Sequence, residues 1–139
     1  MTVPTKIDFR HRRIWQIDDV TDLVQMLFPR NRNQQHAAAR ILIELKAAEN
    51  LVPTMAHLER RHNISRRTLQ RARAKLNRLG LIERIGRFNT RFGGEEGWRL
   101  STRFSASLLR LADTFKAWRD DDSFIRCEKD RQLVRLLQV

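Results

Sequence analysis

Between Ser65 and Leu79 the sequence reads SRRTLQRARAKLNRL. In a helix, a step of about 100° per residue puts Leu69, Ala72, Leu76 and Leu79 on one face. The opposite face carries Arg67, Gln70, Arg71, Ala74 and Arg78. Guanidinium and amide groups can form paired hydrogen bonds with base edges, and a small Ala74 lets the helix approach a flat surface closely. A face needed only for solubility would mix both signs of charge. This one holds cations and an amide, which is the chemistry of a helix lying in a major groove. The competing reading is a solvated arginine-rich helix.

The elements that must position this face are legible on either side. Thr54 to Ile82 reads TMAHLERRHNISRRTLQRARAKLNRLGLI, two helices joined by a sharp turn. Thr54 is expected to cap the first helix and Ser65 the second, each oxygen accepting an amide of the opening turn. Asn63 sits where the backbone must turn through positive φ, and Ile64 leads into the core.

This stretch resembles the winged helix-turn-helix superfamily of DNA-binding proteins. The resemblance is carried by Leu58, Ile64-Ser65, Thr68-Leu69, Arg71-Ala72, Leu76 and Gly80-Leu81-Ile82, and it extends from Gln34 to Ser101. Glu59 stands where the family has a small alanine and His62 where it has an apolar residue, and no subfamily is identified. The resemblance implies a mainly α fold with a small β-hairpin wing: a winged core with extra N- and C-terminal helices. It also implies a partner, double-stranded DNA. The expected contacts are Ser65, Arg66, Arg67, Thr68, Gln70, Arg71, Ala74 and Arg78 from the helix, with Arg87, Asn89 and Arg91 from the wing.

Three segments follow from this reading: 1–33, a basic arm and accessory helix; 34–101, the winged domain; and 102–139, a helical extension for dimerisation. The arm contains Arg10-His11-Arg12-Arg13 and then Ile14-Trp15. It is either an extension reaching phosphates or a minor groove, or a surface segment anchored by Trp15. Val20, Leu23, Val24, Leu27 and Phe28 fall at helical spacing, with Asp18 or Asp19 as cap and Pro29 as stop. After a polar linker, Arg30 to Asn33, a helix over Gln34 to Ala48 turns Ala37, Ala38, Ile41, Leu42 and Leu45 inward. Leu51-Val52 is a short strand candidate beside the wing.

Leu81 to Ile85 and Gly97 to Leu100 read as paired strands. Gly93-Gly94 supplies the positive-φ positions of the connection, and Phe88 and Phe92 share a strand face that packs under the wing. Ser101 or Thr102 is expected to cap a long helix bearing Phe104, Leu108, Leu111, Phe115 and Trp118, beside a second row begun by Leu109 and Ala112. Helices in this position make the dimer contact in the family, so the resemblance implies a homodimer through the 101–119 helix. The other reading is one broad face buried within a monomer. Asp120-Asp121-Asp122 ends this helix, and Leu133, Val134, Leu136 and Leu137 point to a further amphipathic helix in the tail.

Composition bounds the partners. The chain has 139 residues, enough for one cored domain, and a formal charge of +12, which argues for a polyanion. Arg60, Arg61, Arg66, Arg67, Arg71, Arg73, Lys75, Arg78, Arg84, Arg87 and Arg91 crowd one interval in which Glu83 is the sole acid. One cysteine, Cys127, rules out an internal disulfide framework and suits a reducing cytoplasm. No membrane span or signal peptide is expected, so the location expected is cytoplasmic. His57 and His62 lack companion ligands, and neither a phosphate-binding glycine loop nor a nucleophile elbow occurs. The chain is therefore expected to be no enzyme and to need no metal or cofactor, and no small-molecule effector is identified. A transcriptional regulator is the first reading. A replication or plasmid-maintenance DNA binder, an RNA-binding winged module and a protein-interaction module are the alternatives.

Overall fold

The computed structural model describes residues 6–138, which are mainly helical with one two-stranded antiparallel hairpin. Packing divides the chain after Phe104 into two units.

The first unit contains α1 (His11–Trp15), α2 (Val20–Leu27), α3 (Arg32–Ala47), α4 (His57–Arg61), α5 (Arg66–Leu79), β1 (Ile82–Ile85) and β2 (Gly97–Leu100). The first five residues of the expected arm lie outside the described residues. Trp15 is 85% exposed and anchors nothing. The segment is held instead by Ile7 and Ile17, which pack on the core, and by the Asp8 amide, which donates to the Met26 carbonyl at 3.0 Å. Met26, a residue outside the apolar periodicity of α2, is buried as well.

Asp19 caps α2: its carboxylate accepts the Thr21 hydroxyl at 2.6 Å and the Asp22 amide at 3.0 Å. Those bonds hold its carboxyl below the ordinary carboxylate range. Asn31 caps α3 by accepting the Gln34 amide at 3.1 Å, so the helix opens at Arg32, inside the expected linker. Ala37, Ala38, Ile41, Leu42 and Leu45 are all buried, as expected. Burying a leucine or isoleucine contributes about 1.5–3 kcal/mol, so this face alone justifies the helix.

Thr54 does not cap α4. Its hydroxyl accepts the Ala56 amide at 3.2 Å, and the helix opens at His57 with no side-chain cap. Met55 is fully buried just ahead of the helix, and its carbonyl accepts the Leu58 amide at 3.0 Å, so burial fixes this entry. Asn63 turns the chain at φ 52 and Ile64 is buried. Ser65 then caps α5 as expected: its hydroxyl accepts the Thr68 amide at 3.1 Å and donates to the Thr68 hydroxyl at 2.8 Å. Gly80 ends the helix at φ 90, and a side chain there would meet Arg103 Cβ and the Phe104 amide nitrogen, both at 3.0 Å.

In the hairpin, Ile82 pairs with Leu100 and Ile85 with Gly97. Val52 makes an isolated bridge to Trp98, with amide-to-carbonyl bonds of 3.0 and 2.8 Å. Gly97 lies at φ 152, where a Cβ would come within 2.7 Å of the Val52 carbonyl oxygen, so only glycine lets these backbones meet. Glu83 faces Arg99 at 2.7 Å and Arg103 at 3.4 Å, and so serves the hairpin base.

The second unit begins inside α6 (Arg103–Asp120), from Ser105, and continues through α7 (Phe124–Val134) and a 3-10 turn (Arg135–Leu137). Ser101 Oγ accepts the Arg103 amide at 3.1 Å, and α6 ends within the acidic run. Ser123 caps α7 by accepting the Arg126 amide at 3.3 Å. The Trp118 indole donates to Asp130 at 2.7 Å. Neither helix has a buried residue. Phe104 packs on the core of the first unit, whereas within the second unit Leu109, Leu111, Phe115 and Trp118 are at least half exposed. The tail helix also stops at Val134, short of Leu136 and Leu137, and all four of its expected apolar residues are exposed. Among the described residues, no helix is long and apolar enough to cross a membrane.

Candidate nucleic-acid interface

Three contacts fix α5. Its apolar face, Leu69, Ala72 and Leu76, is buried in the core beside α3, and Leu79 is half-buried against the same cluster. The Arg73 guanidinium lies 5.0 Å over the Trp98 ring, holding β2 to the helix. The Lys75 ammonium donates to the Lys6 carbonyl at 2.7 Å and sits 4.6 Å over the Phe28 ring.

Lys75 is thus misplaced in the sequence reading. It is the buried charge of the core, 4% exposed, and it is no part of an outer cationic stripe. Burial pushes its pKa below the ordinary lysine value. Its position at the border of the apolar face looks like surface in a helical projection. Only the folded chain brings Lys6 and Phe28 to it.

The outer side of α5 keeps the expected character. Arg66, Arg67, Gln70 and Arg78 are exposed, while Arg71 and Ala74 are half-buried. Ser65 and Thr68 are spent largely on the cap, their hydroxyls bonded to each other. In the hairpin loop, Arg87 and Arg91 are exposed and Asn89 is half-buried. The Asn89 side-chain oxygen accepts the Arg91 amide at 3.0 Å, so this residue shapes the loop. Gly93 and Gly94 take φ values of 62 and 83, as the turn requires.

Ten of the eleven cations between Arg60 and Arg91 divide by role. Arg84 faces Glu96 at 3.5 Å and Arg61 faces Glu44 at 3.9 Å. Arg73 and Lys75 belong to the packing described above. Arg60, Arg66, Arg67, Arg78, Arg87 and Arg91 are exposed without an ion-pair partner among the described residues. Within this interval, these six are the cations most open to an external anion.

Phe88 and Phe92 do not share a strand face. A 3-10 turn over Thr90–Phe92 replaces the strand, leaving Phe88 86% exposed with the Arg87 guanidinium 5.1 Å over its ring. Phe92 is half-buried, 4.9 Å from the Arg99 guanidinium. The adjacency of Arg87 and Phe88 was the available signal for an exposed aromatic, and strand alternation hid it.

Three of the histidines have local partners. His57 Nε2 meets Glu44 at 2.8 Å, and the His36 and His62 rings meet edge to face at 6.4 Å. Desolvation, then the Arg40 and Arg61 charges, lower the His62 pKa. No group of three His, Cys, Asp or Glu that could hold a metal ion occurs among the described residues. An open cleft of about 550 Å³ is lined by Lys6, Asp8, Arg10, Arg13 and Arg30 among others. Its Arg10 is already paired with Asp8 at 2.8 Å and its Arg13 with Gln25 at 2.7 Å. No family model, curated protein or solved structure matches the chain.

Proposed function

We propose that this protein is a winged helix-turn-helix protein that binds double-stranded DNA sequence-specifically, as a cytoplasmic transcriptional regulator. In this reading α5 enters the major groove, the hairpin loop is the wing on the backbone, and α6 joins two copies into a homodimer. The carrying observation is the outer face of α5, where Arg66, Arg67, Gln70 and Arg78 are exposed and the three cations have no carboxylate partner among the described residues. Cations left uncompensated in one patch raise the local affinity for a polyanion, and arginine and glutamine can also read bases. A replication or plasmid-maintenance DNA binder would use the same surface. The exposure of Phe88 favours a second reading, structured RNA, in which unpaired bases stack on aromatic rings.

The test is titration of the chain against duplex DNA, single-stranded DNA and structured RNA at several salt concentrations. With six open cations neutralising six phosphates, log affinity for duplex should fall against log salt with a slope of about −5. A slope near zero, or a preference for RNA, overturns the duplex reading. Arg67→Ala should cost about 1–3 kcal/mol on the preferred duplex and little on random sequence. Arg91→Ala should weaken both alike and flatten the slope by about one. Reversed results would exchange the roles of helix and loop.

A further inference from the structure

We infer that Phe88 is a wedge, inserted by the hairpin loop between stacked base pairs so that the bound duplex kinks there. The inference rests on the duplex reading above and adds a deformation of the partner to it. Phe88 is the most exposed large apolar side chain among the described residues, at 86%. An apolar ring left in water gains nothing for folding, and Phe88 adds nothing to the core cluster. The fold therefore gives no reason for phenylalanine at this position.

The loop that carries the ring is internally braced. The Asn89 amide donates to the Gly86 carbonyl at 3.1 Å and the Phe92 amide to the Asn89 carbonyl at 3.2 Å. The Glu95 amide closes the next turn on the Phe92 carbonyl at 3.1 Å, and Asn89 holds the Arg91 amide at 3.0 Å. The ring is presented on a shaped backbone, so inserting it loses little loop entropy.

Its neighbours select the occupant. Arg87 lies over the ring at 5.1 Å and Arg91 follows three positions on, neither with a carboxylate partner among the described residues. Gly93 and Gly94 add no apolar surface. A protein partner would ask for a contiguous apolar patch, whereas one flat ring under the Arg87 guanidinium, with Arg91 on the same loop, matches a base pair bordered by phosphates. The ring takes the place of the stacking lost at the opened step, and the cations neutralise the phosphates beside it. Opening a step is easiest at pyrimidine–purine sequences, so those steps are expected under the loop.

The experiment uses the full chain and the duplex that it enriches from a random-sequence pool. Bend is read by energy transfer between end labels, and unstacking by 2-aminopurine fluorescence at the step under the loop. The unaltered chain should bend the duplex by about 20–90° and brighten the probe. Phe88→Ala should lower affinity about tenfold, the worth of one stacking contact, and abolish both signals at saturation. Phe88→Leu should keep the bend, because apolar bulk holds the step open, but should lose affinity, because it offers no stacking face. Wild-type bending by saturated Phe88→Ala overturns the inference, as does a straight duplex bound by the unaltered chain, which leaves the duplex reading standing. Binding to structured RNA alone overturns both.

Discussion

Residues 6–104 and residues 105–138 solve different problems with the same kinds of residue. The first unit buries eighteen apolar side chains and one lysine, while the helices of the second bury none. Charge divides the same way: up to Phe104 there are twenty-one basic and ten acidic residues, and beyond it seven and six. A cationic unit with its own core is suited to meeting a polyanion as it stands. A nearly neutral pair of helices with exposed Leu109, Leu111, Phe115 and Trp118 lacks the covered surface that stabilises a fold. The contrast separates a cationic unit with its own core from a nearly neutral pair of helices without one, and under the dimer reading a second copy would cover the latter with little charge repulsion.

The largest effect should come from truncating matched leucines in the two units. Leu76→Ala opens a cavity in the core and should destabilise by about 3 kcal/mol. Leu136→Ala, at a side chain 80% exposed, should change stability by less than about 0.5 kcal/mol. Urea midpoints for both variants check this, and equal shifts would erase the contrast.

The next test asks what covers α6. Leu109→Glu places a charge on an exposed apolar row, so under the dimer reading it should give a folded monomer by light scattering. Thermal unfolding of the basic unit should be little changed at a concentration where the parent is dimeric. A dimer that survives the substitution moves the contact away from this row.

The smallest effect concerns the buried cation. Lys75→Met keeps volume and removes a desolvated charge, and the exposed Lys6 backbone can turn to water. Stability should rise by about 1 kcal/mol and DNA affinity should stay the same. Because burial lowers the folded-state pKa, the native protein loses this proton before the unfolded chain does. Parent stability should therefore rise with pH in the window below the ordinary lysine value of 10.5, and Lys75→Met should remove that rise. A drop in affinity would return Lys75 to the interface.

Periodicity revealed most of the first unit. The inward residues of α3 and α5, the Ser65 cap, the Asn63 turn and the Val52 contact with the hairpin all follow from local pattern and turn chemistry. The candidate face of α5 was legible for the same reason, because a helix fixes which residues oppose its buried side. Long-range contacts were not legible. Lys75 turns inward to meet Lys6 and Phe28, which arrive from elsewhere, and the segment at Asp8 bonds the backbone of the buried Met26. Phe88 went astray because alternation assumes a strand, and the loop adopts a 3-10 turn instead. In the second unit the apolar rows of α6 were visible, but sequence alone could not say whether this chain covers them.

The bond from Lys75 to the Lys6 carbonyl spans 69 positions, and this gives the first unit an order of assembly. In a chain growing at about 5–20 residues per second, Lys6 is made roughly 3–14 s before Lys75. Throughout that interval the Asp8 amide has the Met26 carbonyl of α2 to meet, but Lys75 is not yet there to bond the Lys6 carbonyl. The segment at Lys6 can then complete its contacts only once the arginine-rich helix has been synthesised.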